Sequence, residues 1–274
     1  MNRAAELRGA VAFVTPATLI TLSILAAPLL YIFYTSFGGP DFSFRAYSDL
    51  LGSALFRRTL STTLIIALSA SALSLVLGYV IALHLARQTP RRRSLYMVLV
   101  LLPFWTSVLV KCYAFTVILG RSGMVNEFLT WVSGSQVQLA LILNRIGVLI
   151  GMTNYLTPFV VFPVLASLMA IDDSVYRAAS VMGAKPVRIF RTVTLPLSLP
   201  GIIAGLSSVL VMALGFFIVP ALLGGPRDAM LSNLVDFYTR ETLDWSMAAA
   251  VGVLLLGMVV LAIAPLSVLR RKQP

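Results

Sequence analysis

The chain has 274 residues, of which 59% are hydrophobic and only 11% charged, with a net charge of +11 and a mean hydropathy of +0.94. Soluble domains carry about a quarter charged residues, so a water-soluble globule is excluded and a bilayer is the fitting solvent. The basic residues stand in short clusters beside apolar runs rather than in one stripe, which argues for membrane topology and against nucleic acid as a partner.

Arg3 and Arg8 precede an uncharged run from Gly9 to Pro40. It exceeds the roughly 7–15 apolar residues of a secretory signal, so an uncleaved first span is expected. Windows of about 20 apolar residues predict six spans: Val11–Phe37, Leu60–Ala86, Leu95–Leu119, Ile146–Ala170, Pro200–Leu223 and Met247–Leu269. Lipid offers no hydrogen-bond partner to an open strand, so each span is predicted to be a helix. The expected fold class is an all-α, polytopic bundle forming a single transmembrane domain over residues 1–274, with no repeat or long linker to divide it.

Orientation follows from the charges between spans. The N-terminus, the Arg87–Arg93 link, the segment from Asp172 to Arg191 and the C-terminal Arg270–Lys272 hold 13 Lys/Arg against Glu6, Asp172 and Asp173, whereas the other side holds 8 basic and 7 acidic residues. The positive-inside rule then predicts cytoplasmic N- and C-termini. On the opposite side, Asp41, Tyr47 and Asp49 are expected in a first loop. Gly120–Arg145 is too short and mixed to span and is expected at the interface, with Trp131 among headgroups. A third loop, Gly224–Trp245, is the most charged outer surface.

No Gly-x-x-x-x-Gly-Lys-Ser/Thr loop is present to bind a nucleotide. Cys112 is the single cysteine and His84 the single histidine, which leaves no disulfide framework, no Cys/His metal cluster and no Ser/His/Asp arrangement. His84 reads as a polar residue at the end of the second span.

The segment 172–196 is a charged island between two apolar runs. Asp172, Asp173 and Ser174 are good N-caps and Gly183 a good stop, so a short helix is predicted over Ser174–Met182. Val175, Ala178, Ala179 and Met182 share one face at i, i+3, i+4 and i+7. Pro186 suits the first turn of a second helix carrying Lys185, Arg188 and Arg191, which Leu195-Pro196 is expected to end. By itself such a segment fits docking onto another protein, packing against its own bundle or lying in anionic headgroups.

Ala178-Ala179, three residues, Gly183, nine residues, Val193, one residue and Leu195-Pro196 closely resemble the E-A-A-x3-G-x9-I-x-L-P signature of permease subunits in bacterial ATP-binding-cassette importers. Val193 is a mild replacement, and Arg177 stands where that family usually has Glu. The stretches LPFWTSVLVKCYAF, GMVN, YLTPFVVFPVLASL, LPLSLPGIIAG and ALGFFIVPALLGG extend the resemblance over nearly the whole chain, to the spermidine/putrescine type and to the first of its two permease subunits. The resemblance implies a type I importer fold in the bacterial inner membrane. It implies as partners a second, homologous permease subunit, two ATPase subunits and a periplasmic substrate-binding protein. ATP and Mg would sit on the ATPases, with no cofactor on this chain. It also makes Val175, Arg177, Ala178, Ala179, Met182, Gly183, Leu195 and Pro196 the ATPase-coupling residues. An acidic residue at 177 would pair with a basic group on the ATPase, whereas Arg needs an acidic or carbonyl partner.

Ionisable groups inside spans are costly and are functional candidates by default. Lys111 is the only charged residue well within an apolar run. It is expected to bond a helix-end carbonyl or snorkel outward, the alternative being a place on the translocation path with Phe104, Trp105 and Tyr113, whose rings offer cation–π faces. Pro158, Pro163 and Pro220 are expected to bend or interrupt their helices. Gly201 and Gly205, extended by Ala204 and Ser208, form a small-residue face for close helix packing. The function these readings combine to is import of a small organic cation, most naturally a polyamine, driven by ATP hydrolysis on other subunits. An opine, an amino-acid derivative or an aminophosphonate is the rival substrate, and a stand-alone secondary transporter or channel the rival class.

Overall fold

The computed structural model describes residues 3–136 and 138–271, with side chains from 14 to 265 apart from 137. The terminal charges Arg3, Glu6, Arg8 and Arg270–Lys272, which enter the orientation count, lie outside the described side chains. The helices are α1 (Arg3–Ser36), α2 (Arg45–Gly52), α3 (Ala54–Ala86), α4 (Pro90–Leu101), α5 (Val108–Leu119), α6 (Met124–Ser133) and α7 (Arg145–Met169). They continue with α8 (Asp173–Val181), α9 (Pro186–Ile189), α10 (Leu195–Leu197), α11 (Leu199–Leu214), α12 (Ile218–Leu223), α13 (Leu231–Arg240) and α14 (Trp245–Arg271). No strand occurs among the described residues.

The chain divides into two compact units. One comprises the residues up to Ser53 together with Val235–Leu254. Its α1 is apolar over Val14–Ser36, and no side chain from Val14 to Thr35 is buried, as suits a helix whose neighbours are lipid or another subunit. After α1 the chain turns at Gly38 and Gly39, both at positive φ, and Phe37, Phe42, Phe44 and Tyr47 close into a cluster with neighbouring ring centroids 5.2–6.4 Å apart. The Tyr47 hydroxyl donates to Ser36 Oγ at 2.8 Å.

The other unit, Ala54–Leu234 with the residues from Leu255 onward, is built on α3, α7 and α11. α3 lacks proline and buries Ile66, Ala67, Ala70, Ser71, Ser74, Gly78 and Ala82, a helical stripe of small residues that lets α7 approach closely. At Gly78 an added Cβ would lie 2.7 Å from Val160 Cβ. α7 is the most enclosed span, with Val148, Met152, Leu156, Val160, Val161 and Val164 all fully buried.

Five helical stretches are long and apolar enough to cross a membrane, or six if Pro186–Leu197 and Leu199–Leu214, which meet at 60°, are one broken span. The expected all-helical, multi-span architecture is present, with local corrections. The third span is not Leu95–Leu119: α4 stops at Leu101, a 310 turn runs over Leu102–Trp105, and the apolar stretch is Val108–Ser133. Pro103 has no N–H to continue α4 and restricts Leu102 before it. Gly120–Arg145 is therefore not wholly a surface segment, since α6 extends this span. The predicted fifth span, Pro200–Leu223, breaks at Gly215–Phe217. The backbone freed there is satisfied, as lipid depth requires: Ser232 Oγ donates to the Phe216 carbonyl and Asn233 Nδ2 to the Phe217 carbonyl at 3.2 Å.

Pro158 and Pro163 do not interrupt their helix: they lie inside a continuous α7, whose packing on both α3 and α11 outweighs the lost backbone bonds. Pro220 stands in the first turn of α12, just beyond the break, and has no N–H to offer the Phe216 carbonyl four residues back. The small-residue face of α11 is also redrawn. Gly201 and Gly205 pack on α7, Val209 and Ala213 continue that buried face, and Ser208 is exposed and folds its hydroxyl onto the Ala204 carbonyl at 2.9 Å.

Candidate functional site

The island begins with an N-cap: Asp172 Oδ1 accepts from the Ser174 amide at 2.7 Å. That bond and a second from the Ser174 side chain hold the Asp172 carboxyl below its usual range. A depressed carboxyl supports the fold above its unfolded value and ceases to do so as pH falls through the folded one. Accordingly, Ser174 amide exchange is expected to accelerate only in acid below the ordinary carboxylate range, and Asp172→Ala should remove that pH dependence.

At the other end of α8 the chain reverses at Gly183, φ +74°, with the Gly183 and Ala184 amides donating to the Ser180 and Ala179 carbonyls at 3.0 and 3.1 Å. An L side chain is rarely stable there, which is why glycine stands at this bend. No residue of α8 is buried. Val175 and Ala178 are exposed and Ala179 is half-buried, while Val181 and Met182 are 88% and 86% exposed. The exposed apolar face therefore includes Val181, which helical spacing from Val175 did not select, and Ala179 turns partly inward.

Leu195-Pro196 does not end the second helix. Phe190–Thr194 forms a π-turn in which the Leu195 amide donates to the Phe190 carbonyl, and winding continues to Leu197. The wider turn accommodates Pro196, whose ring would clash with the carbonyl four residues back in an α-helix. The base of the island is then fixed by a contact invisible to spacing. Tyr79 and the fully buried Ser198 hydrogen-bond through their hydroxyls at 3.0 Å, with the Tyr79 ring edge-on to Phe190 at 6.2 Å. A serine inside LPLSLPG was the only available signal.

The Arg87–Arg93 link and the island, grouped together by charge, lie at the same end of this unit. The Arg93 guanidinium donates to the Leu85 and Gln88 carbonyls at 3.2 and 2.9 Å and to Met169 Sδ at 3.0 Å, tying the ends of α3 and α7. Between them opens a cleft of about 1010 Å³ lined by Arg87, Asp172, Tyr176, Arg177 and Phe190 among others. Near the start of α7, Arg145 Nε meets the buried Asp228 at 3.3 Å, and Asp228 Oδ2 also accepts from the Gly225 amide at 3.2 Å.

Within the spans, no hydrogen bond joins the Lys111 ammonium to a helix-end carbonyl among the described residues. Its Nζ lies over the Tyr155 ring, 4.9 Å from the centroid. Tyr155 stands edge-on to Phe216 at 5.1 Å and beside Phe159 at 5.9 Å, and Phe104 is 5.4 Å from Phe159. The structure thus brings together two of the four predicted path residues, Phe104 and Lys111, while Trp105 and Tyr113 are 84% and 73% exposed and outside this cluster. Tyr155, Phe159 and Phe216 are its missed members. They come from two sequence-distant places, α7 for Tyr155 and Phe159 and the helix break at Gly215–Phe217 for Phe216.

A profile of the binding-protein-dependent transport system inner membrane components matches residues 74–272. The chain belongs to this family. Among curated relatives, the spermidine/putrescine transport system permease protein PotB of Escherichia coli K12 is 33% identical over 236 residues, covering 83% of this chain and 86% of the relative. The Haemophilus influenzae PotB is 30% identical over 232 residues, covering 85% and 81%. Among solved structures, a chain of a bacterial alginate ABC transporter in complex with its alginate-bound periplasmic protein aligns with TM-score 0.75 at 21% identity, over 92% of this permease and 91% of that chain. A chain of the inward-facing MetNI methionine ABC transporter aligns with TM-score 0.59 at 19% identity, over 79% and 95%. The fold is that of ABC importer permeases, and the permease is a multi-pass protein of the inner membrane.

Proposed function

We propose that this permease carries a polyamine such as spermidine or putrescine inward as one of two permease subunits. A periplasmic binding protein delivers the substrate, and two ATPase subunits bind and hydrolyse MgATP. The transported class rests on the likeness to the PotB proteins. The observation that carries the coupling role is a capped, wholly unburied helix ending in exposed Val181 and Met182, at the place where the signature spacing begins. In this reading the island and the Arg87–Arg93 link face the cytoplasm, where their basic residues belong. Val175, Ala178, Val181 and Met182 enter a groove on the ATPase, Arg177 faces its acidic or carbonyl groups, and Gly201 and Gly205 pass motion from the island to α7. The whole chain acts as one transmembrane domain.

The test is Val181→Asp with Met182→Asp in the complete reconstituted transporter. Both side chains are exposed in the isolated chain, so membrane levels should be unchanged, while substrate-stimulated ATP hydrolysis falls by more than about tenfold, the worth of roughly 1.4 kcal/mol at a docking contact. Arg177→Glu should reduce coupling less. Hydrolysis at the unmutated level in the double variant would overturn the docking assignment. Mass spectrometry of the ligand retained by the assembled complex tests the polyamine directly, a carboxylate or phosphonate being the contrary result.

A further inference from the structure

We propose that the ring face of Tyr155 is a binding site for an organic ammonium group, and that its resident occupant is the permease's own Lys111, which an incoming ammonium displaces. As to the transported substrate, this rests on the polyamine reading; as to the site, it rests on geometry alone. A cation held over an aromatic face is attracted by the ring quadrupole, and the attraction strengthens where water is scarce. Lys111 Nζ occupies that position at 4.9 Å, and no ion pair or hydrogen bond of its ammonium occurs among the described residues.

Around it the aromatics are arranged as a partial cage. Phe216 presents its edge to Tyr155, Phe159 flanks it, and Phe104, itself 44% exposed, closes on Phe159. Two of these rings hang from helix breaks, where backbone outside regular helix lines the same region. Broken helices at membrane depth are where transporters place binding sites, because irregular backbone is tolerated only next to protein or water. A fixed lysine opposite such a cage repels a passing cation until the cation takes its place on the ring. The ammonium of Lys111 therefore keeps the site closed to small inorganic cations, which gain little from an aromatic face after losing their water, and yields it to an alkylammonium.

The experiment measures tetramethylammonium binding calorimetrically to the assembled transporter in lipid nanodiscs. The wild type should bind it weakly. Lys111→Met, which empties the ring face while keeping the stem volume, should bind about tenfold more tightly. Lys111→Arg should stay near the wild type, and Lys111→Met/Tyr155→Leu should return to weak binding. Lys111→Gln serves as a second emptied site if the methionine variant assembles poorly. Equal affinity in wild type and both emptied variants overturns the proposal, as does tight binding retained without Tyr155. Tightened tetramethylammonium binding in a complex that imports no polyamine would uphold the site and reject the polyamine reading.

Discussion

Gly201→Leu is expected to prevent stable assembly of the permease. A Cβ at 201 would lie 2.4 Å from the Pro163 carbonyl oxygen and 2.6 Å from Ser167 Oγ, so even alanine collides with backbone that cannot retreat inside α7. Overpacking a tight contact costs about 1–3 kcal/mol and sometimes more, and leucine here should sit at the upper end. Gly205 is looser, its Cβ meeting Val160 Cα at 3.3 Å and Pro163 Cγ at 3.4 Å. Gly205→Ala should therefore lower the midpoint of thermal unfolding far less than Gly201→Ala. Gly205→Leu should insert into membranes yet transport poorly. Fluorimetric unfolding of the detergent-purified transporter checks the ranking, and equal midpoints for the two alanine variants would refute it.

Asp228→Ala should be the next most damaging change. Asp228 is 7% exposed and is the acceptor for both the Arg145 guanidinium and the Gly225 amide. Removing it strands two donors. Breaking a fully buried ion pair costs about 3–5 kcal/mol, and because the Arg145 side chain is 43% exposed a loss of roughly 1–3 kcal/mol is expected. Asp228→Asn keeps an acceptor for Gly225 and should cost less. Replacing the pair together, Arg145→Met with Asp228→Leu, should recover part of the stability, since apolar replacement of such a pair is often neutral. A double variant as unstable as Asp228→Ala would contradict this account.

What was legible in the sequence was governed by period and composition. The spans of α1, α3, α7 and α14 followed from apolar windows, and the bounds of α8 from Asp172 and Gly183, because capping chemistry is local. Where the breaks fall was not legible. Proline in α7 is tolerated through burial on two sides, whereas the interruptions at Leu102–Trp105 and Gly215–Phe217 are stabilised by Thr106, Ser232 and Asn233, the last two more than a dozen residues from the carbonyls they serve. Lys111 stood out as a charge among apolar residues, but its partner Tyr155 lies on another helix, and no spacing rule joins α5 to α7.

The core arrangement of α3, α7 and α11 also sets a timetable for biosynthesis. α3 leaves the ribosome well before α7, and the stretch between them, α4 to α6, does not supply its main partner. During that interval the face bearing Ser71, Ser74 and Gly78 has no α7 to cover it. Small and polar side chains facing lipid weaken a helix's hold on the bilayer and invite premature pairing. α3 is therefore expected to need cover, from the insertion machinery or a neighbouring subunit, until Val160 arrives to lie against Gly78.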